Sequence, residues 1–241
     1  MPVSFVVGTI GAFGMPTQAV SGRVRLGILA LFISTALAFV GFLVLGPFPD
    51  PPDDIRAWAE FASSSRYAVS GFLLAVDSLL AIFGFVALYA CMAGGRAERW
   101  AFFAMILSVA GSAGGFAAYV GASGIEALAA EQYLEGQRAV FEEWFDLFEW
   151  TSVFSLVLSP GLFSIGLILF GVAIWHSQTL PQGAAILWFA SILFINAAAL
   201  TWWAEVITFL SVAIAGGWIA WTVWQQPSPQ IAGTEPQTRV Q

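Results

Sequence analysis

Asp77 is the residue of this 241-residue chain whose type and surroundings point most directly to chemistry. Val76, Leu79, Leu80 and further aliphatics flank it, so its carboxyl group belongs to an apolar segment instead of a loop. A carboxyl group there must face neighbouring helices, take up a proton, pair with a donor or reach water. Lys is absent from the chain and no Arg falls inside an apolar stretch, so a cationic partner is scarce. Ser78, Ser108, Ser112, Tyr119 and Asn196 can supply hydrogen bonds across helices. Asp77 is therefore expected in a polar cluster that is either structural or a contact for a proton, ion or ligand.

Asn196 and Glu205 are the other candidates for an intramembrane polar or substrate contact. Asn196 lies deep in its segment, where a side-chain amide bonds to a neighbouring helix. Glu205 lies near a segment end, within reach of hydration at headgroup level. Neither shares a short motif with Asp77, so only the fold can bring the three together. His176, the sole histidine, follows Trp175 at a segment end, a position suited to lipid phosphate or to capping a helix. A bis-histidyl haem site needs a second histidine. Cys91 is the only cysteine, which excludes an internal disulfide and multi-cysteine metal sites. Without Lys there is no Schiff base to retinal or pyridoxal phosphate. Phosphate-binding loops, dinucleotide fingerprints, H-E-x-x-H and the hydrolase nucleophile elbow are missing from any credible context. No catalytic, cofactor-binding or metal-binding residue is assigned, and no cofactor is expected.

The elements that must position these groups are six apolar stretches, at about residues 26–45, 69–92, 101–119, 152–175, 184–200 and 206–224. A hydrophobic fraction of 59% and a mean hydropathy of +0.83 leave too little polar surface for a water-soluble fold. The runs are apolar on every face, so they read as helices and not as alternating barrel strands. At about 1.5 Å per residue the longer ones cross a hydrocarbon layer of roughly 30 Å. The predicted fold is all-α: a polytopic bundle of six transmembrane helices over residues 26–224, between an N-terminal segment, 1–25, and a flexible tail, 225–241.

Arginines set the orientation. Arg23, Arg25, Arg96, Arg99 and Arg239 fall on one side, against Arg56, Arg66 and Arg138 on the other, which places both termini in the cytoplasm. The opposite loops carry most of the acidic residues behind the net charge of -7, and that charge repels polyanions, so nucleic acid is not an expected partner. Residues 1–20 lack a basic region before their apolar ones, so the first span reads as a retained signal anchor. Trp58, Trp144, Trp150, Trp202 and Trp203 fall toward one boundary and Trp100, Trp175, Trp221 and Trp224 toward the other, as aromatic belts do.

Ser108, Gly111, Ser112 and Gly115 form a small-residue series on the third span, suited to close helix packing inside the bundle or in a homo-oligomer. Pro160 is expected to kink the fourth span. In the long exterior loop an acidic amphipathic helix is expected over about residues 126–150. Phe141, Trp144, Phe145 and Phe148 share one face of it, and Glu142, Glu143, Asp146 and Glu149 lie on the wetter faces.

The segment Gly171-Val172-Ala173-Ile174-Trp175-His176-Ser177-Gln178-Thr179-Leu180-Pro181, with Gly183-Ala184-Ala185 after it, resembles a helix-loop-helix pattern of uncharacterised bacterial six-span membrane protein families. The resemblance covers mainly the last third of the chain and implies no catalytic residue. The resulting expectation is a multi-pass protein of a prokaryotic cytoplasmic membrane, in contact with lipid and with a membrane-protein partner or a second copy. Short loops and packing surfaces favour a structural or accessory component of a membrane assembly. A transporter of a small solute, proton or lipid, with Asp77 in a polar cavity, is the alternative, and an integral-membrane enzyme comes third.

Overall fold

The computed structural model describes residues 21–47, 55–137, 139, 158–198 and 202–226. Eight α-helices are described: α1 (Gly22–Leu45), α2 (Ile55–Ala62), α3 (Ser65–Met92), α4 (Glu98–Gly121), α5 (Ala127–Leu134), α6 (Ser159–Ser177), α7 (Gln182–Ala198) and α8 (Trp202–Gln225). A π-helical turn, Ala122–Glu126, joins α4 to α5. Helices α1, α3, α4 with its extension, α6 and α8 are each long and apolar enough to cross a membrane. α7 has 17 residues, close to 25 Å of rise, and is the shorter apolar member.

Local chemistry explains the ends. Ser21 and Ser64 cap α1 and α3 by accepting from Val24 N and Tyr67 N at 3.4 and 3.3 Å. α1 stops at Gly46, whose φ of 63° is a left-handed conformation favouring glycine, and Pro47 follows. Between α6 and α7, Gln178 holds a φ of 55°, the one non-glycine at positive φ among the described residues.

The long helices form a ring in chain order: α1 packs on α3, α3 on α4, α4 on α6, α6 on α7, α7 on α8, and α8 returns to α1. Arg25 donates to the Gln226 carbonyl oxygen, so the start of α1 and the end of α8 meet at one end of the bundle. Lipid tails supply little drive for apolar helices to pair, so association depends on how closely backbones approach. A Cβ on Gly84 of α3 would lie 2.6 Å from Leu31 Cβ of α1, and one on Gly111 of α4 would lie 2.7 Å from Phe163 N of α6. Gly115 faces Ser78 Oγ of α3, while Ser108 is fully buried where α4 meets Gly166 of α6. Ser112 is buried on the same helix.

Inside the ring, the end that holds Arg25 is dry and closely packed. Phe85 stacks on Phe170 at 5.4 Å, Trp188 lies 6.1 Å from Phe170, and Ile28, Leu88, Ile174, Ile219 and Val223 fill the remainder. The outward faces are equally apolar: Phe72, Phe83, Phe103, Ile165, Ile214 and Trp221 are all exposed, as an all-α multi-pass bundle in contact with lipid requires.

At the opposite end, α4, the π-helical turn and α5 make one helical run of 37 residues, about 55 Å, which outreaches a hydrocarbon layer of roughly 30 Å. α5 packs on α2 through Ala59, Ala62, Ala129 and Ala130. The helix expected from residue 126 onward ends at Leu134, where Gly136 has a φ of 98°. The aromatic and acidic positions 141–149 lie outside the described residues. Pro160 is the second residue of α6, and Leu158 before it already has helical backbone angles. The residues preceding Leu158, on which the expected kink depends, lie outside the described set.

Gly84→Ala should lower stability in detergent by about 1–3 kcal/mol because the new methyl group meets helix backbone. Gly121→Ala, with nothing within 4 Å, should not, and reversible unfolding monitored by circular dichroism compares the two.

Candidate functional site

Asp77 sits near the middle of α3, and Ser34 is equally central on α1. Ser34 Oγ donates to Asp77 Oδ1 at 2.6 Å, joining the two helices at mid-depth. Both border a cavity of about 30 Å³ lined from five helices: Leu31, Thr35 and Ala38 of α1, Ala81 and Phe85 of α3, Phe163, Ser164 and Leu167 of α6, Trp188, Ser191 and Ile192 of α7, and Thr208, Phe209 and Val212 of α8. A water needs about 10–15 Å³ by this measure, so one or two waters or a bare small ion fit and a metabolite does not.

The lining has a definite hydrogen-bond polarity. Thr35 donates to the Phe32 carbonyl at 3.0 Å, Ser191 to the Trp188 carbonyl at 2.7 Å, and Thr208 to the Ala204 carbonyl at 2.8 Å. With these protons committed to backbone and Ser34's committed to Asp77, these four hydroxyl oxygens retain only acceptor capacity, while the Ser164 hydroxyl can donate or accept. The indole N–H of Trp188 is a buried donor without a partner among the described residues. No Arg or His is among the described residues that line the cavity. An acceptor-rich pocket around one carboxyl group suits a proton or a small cation and opposes an anion.

Glu205 lies one turn from Phe209 on the same face of α8, nearer the end of the bundle that carries α2 and α5. Phe209 stacks on Phe42 of α1 at 4.2 Å, and Tyr119 of α4 packs in the same cluster. Asp77 and Glu205 both act electrostatically on Tyr119, which places the three within one polar neighbourhood. Glu205 Oε2 is buried without a partner among the described residues. The Asn196 side chain lies outside the described residues, so only its backbone position on α7 is known.

One buried carboxyl group escaped the sequence reading. Glu126 counted as an exterior loop acid, yet it is 2% exposed. Trp58 Nε1 donates to its Oε1 at 3.0 Å and Tyr67 Oη to its Oε2 at 2.6 Å. These bonds fasten the π-helical turn to α2 and to the start of α3. The available signal was the alanine pair Ala129 and Ala130, three and four residues beyond Glu126 and on its own helix face. Burial of the alanines against α2 takes the carboxylate in with them.

No family model, curated protein or solved structure matches this chain. The site therefore has to be read from its own geometry.

Glu126→Ala removes the carboxylate that accepts from Trp58 and Tyr67 and should destabilise the cap by about 1–3 kcal/mol. Faster proteolysis within residues 55–62 in the variant, with little change in Glu126→Gln, is the expected result.

Proposed function

We propose that this multi-pass membrane protein crosses a prokaryotic cytoplasmic membrane six times, with both termini cytoplasmic, and carries a proton or small monovalent cation by way of Asp77. The observation that carries this reading is the mid-depth carboxyl group on a cavity where acceptor oxygens predominate and no described lining residue is cationic. Intramembrane carboxyl groups in such settings mark proton and ion pathways. Glu205 and Tyr119 supply polar stations between Asp77 and the α2–α5 end, while the dry packing at the other end is the barrier that a conformational change must open. In this conformation the cavity has room for water or a small ion, which favours those over larger solutes. Six crossings agree with a ring of six helices whose first and last ends meet. The arginine excess at that end favours placing it in the cytoplasm.

In proteoliposomes loaded with a pH dye, an imposed potassium or sodium gradient should drive dye-reported flux that Asp77→Asn reduces by about 10²-fold or more, as loss of a proton-transfer group does. Ser34→Ala should reduce it less. Unchanged flux in a well-folded Asp77→Asn protein would make the Asp77–Ser34 bond a structural joint and return the accessory role to first place. Reporter fusions at both termini should be active only in their cytoplasmic form.

A further inference from the structure

A second concavity, of about 340 Å³, lies at the Arg25 end of the ring, far from Asp77, and is lined by Arg96, Trp100, Trp175, His176, Gln178 and Gln182. Two connections build it, α3–α4 and α6–α7. Arg96 comes from the turn between α3 and α4, Trp100 from the first turn of α4, Trp175 and His176 from the last turn of α6, and the two glutamines from the α6–α7 turn and the start of α7. We propose that this concavity is a binding site for the phosphate group of an anionic membrane phospholipid.

The chemistry of the lining is that of a phosphodiester site. Arg96 offers a planar fork of donors that matches phosphate oxygens. Among the described residues it has no carboxylate partner, although Glu98 lies two positions away: that side chain accepts from Gly94 N at 3.1 Å instead. His176 adds a ring donor, and the two glutamine amides add neutral ones. Gln182 opens α7, so the positive end of that helix's dipole faces the same region. Among the described residues the lining offers donors and no carboxylate, unlike the surroundings of Asp77.

Two observations make a lipid headgroup, and not free phosphate, the occupant. Trp100 and Trp175 border the site at 49% and 44% exposure, and indole rings at a helix end mark headgroup depth. Basic pockets between transmembrane helices at that depth take anionic headgroups while acyl chains run down the apolar helix faces. Gln178 holds its left-handed φ at a helix end where glycine or asparagine is usual, and the strained residue is one that lines the site.

The test is native mass spectrometry of the full chain in detergent, titrated separately with short-chain phosphatidylglycerol, the matching phosphatidylcholine and inorganic phosphate. One phosphatidylglycerol should be retained preferentially. Arg96→Gln should weaken that retention by about tenfold or more, the loss expected for a charged hydrogen bond. His176→Gln should weaken it less, and Arg96→Lys should restore part of it. Arg99→Gln, which removes a charge at the same end but outside the concavity, should leave retention unchanged. Equal weakening by Arg99→Gln, equal retention of phosphatidylcholine, or tighter binding of inorganic phosphate than of lipid would each overturn the proposal. The readout is independent of ion flux, so an inactive Asp77→Asn protein that still retains phosphatidylglycerol separates this site from the Asp77 reading.

Discussion

Close approach of helix backbones is the constraint on which the rest of this structure depends. Apolar helices in lipid gain little from burying one another, so their separation decides their association. The seams that close the ring place small residues against backbone or short side chains: Gly84 against Leu31, Gly111 against Phe163, and Gly216 of α8 against Thr35 of α1. The last contact matters most for function. Helices α1 and α8 are the ends of the chain-order ring, and their contact turns a row of helices into an enclosure. Thr35, Thr208 and Asp77 border a shared cavity only because that seam is shut.

Enclosure produces two unlike halves. Toward the Arg25 end, rings and aliphatics from all six long helices interlock. Toward the other end, polar groups accumulate: Asp77 and Ser34 at mid-depth, then Tyr119 and Glu205, and beyond them Glu126 inside the helical cap. None of these carboxyl groups has a cationic partner among the described residues, and each is approached instead by hydroxyl, phenol or indole groups or by none. Arg23, Arg25, Arg96, Arg99 and His176 sit at the opposite end, where Arg96 and His176 share a concavity, while Arg56 and Arg66 lie at the α2–α5 end. An arginine excess at one end and a carboxyl excess at the other give the bundle an electrostatic direction that matches the arginine bias of its loops.

Much of this was legible because hydrocarbon imposes simple rules. Long apolar runs must be helices when no water is present to satisfy their backbones, which is why α1, α3, α6 and α8 fall near the apolar stretches of the sequence. Asp77 stood out for the same reason. What sequence could not provide was azimuth, the direction in which each helix face points. Ser34 is an ordinary hydroxyl in the sequence of the first span, and only the α1–α3 packing turns it into the partner of Asp77. Thr35, Ser191 and Thr208 were ordinary hydroxyls until five helices set them around one space. Burial of Glu126 depended on a neighbouring element, since α2 covers it, and charge alone had assigned it to solvent.

The Asp77–Ser34 bond is itself an argument about purpose. Hydrogen bonds between membrane helices contribute about 0.6 kcal/mol on average, little more than good apolar packing in the same place. α1 and α3 already pair through Gly84, Gly41 and Gly27, so their association does not require a polar joint. An acid at mid-depth also carries a desolvation cost that an aliphatic side chain avoids. A folding role would be filled better by leucine, and the cavity beside the carboxyl group would then be filled instead of left with room for water. The arrangement gains its sense if the carboxyl group must exchange a proton or ion with that space. Its hydroxyl partner then holds it in place without the neutralising charge that a lysine or arginine would bring.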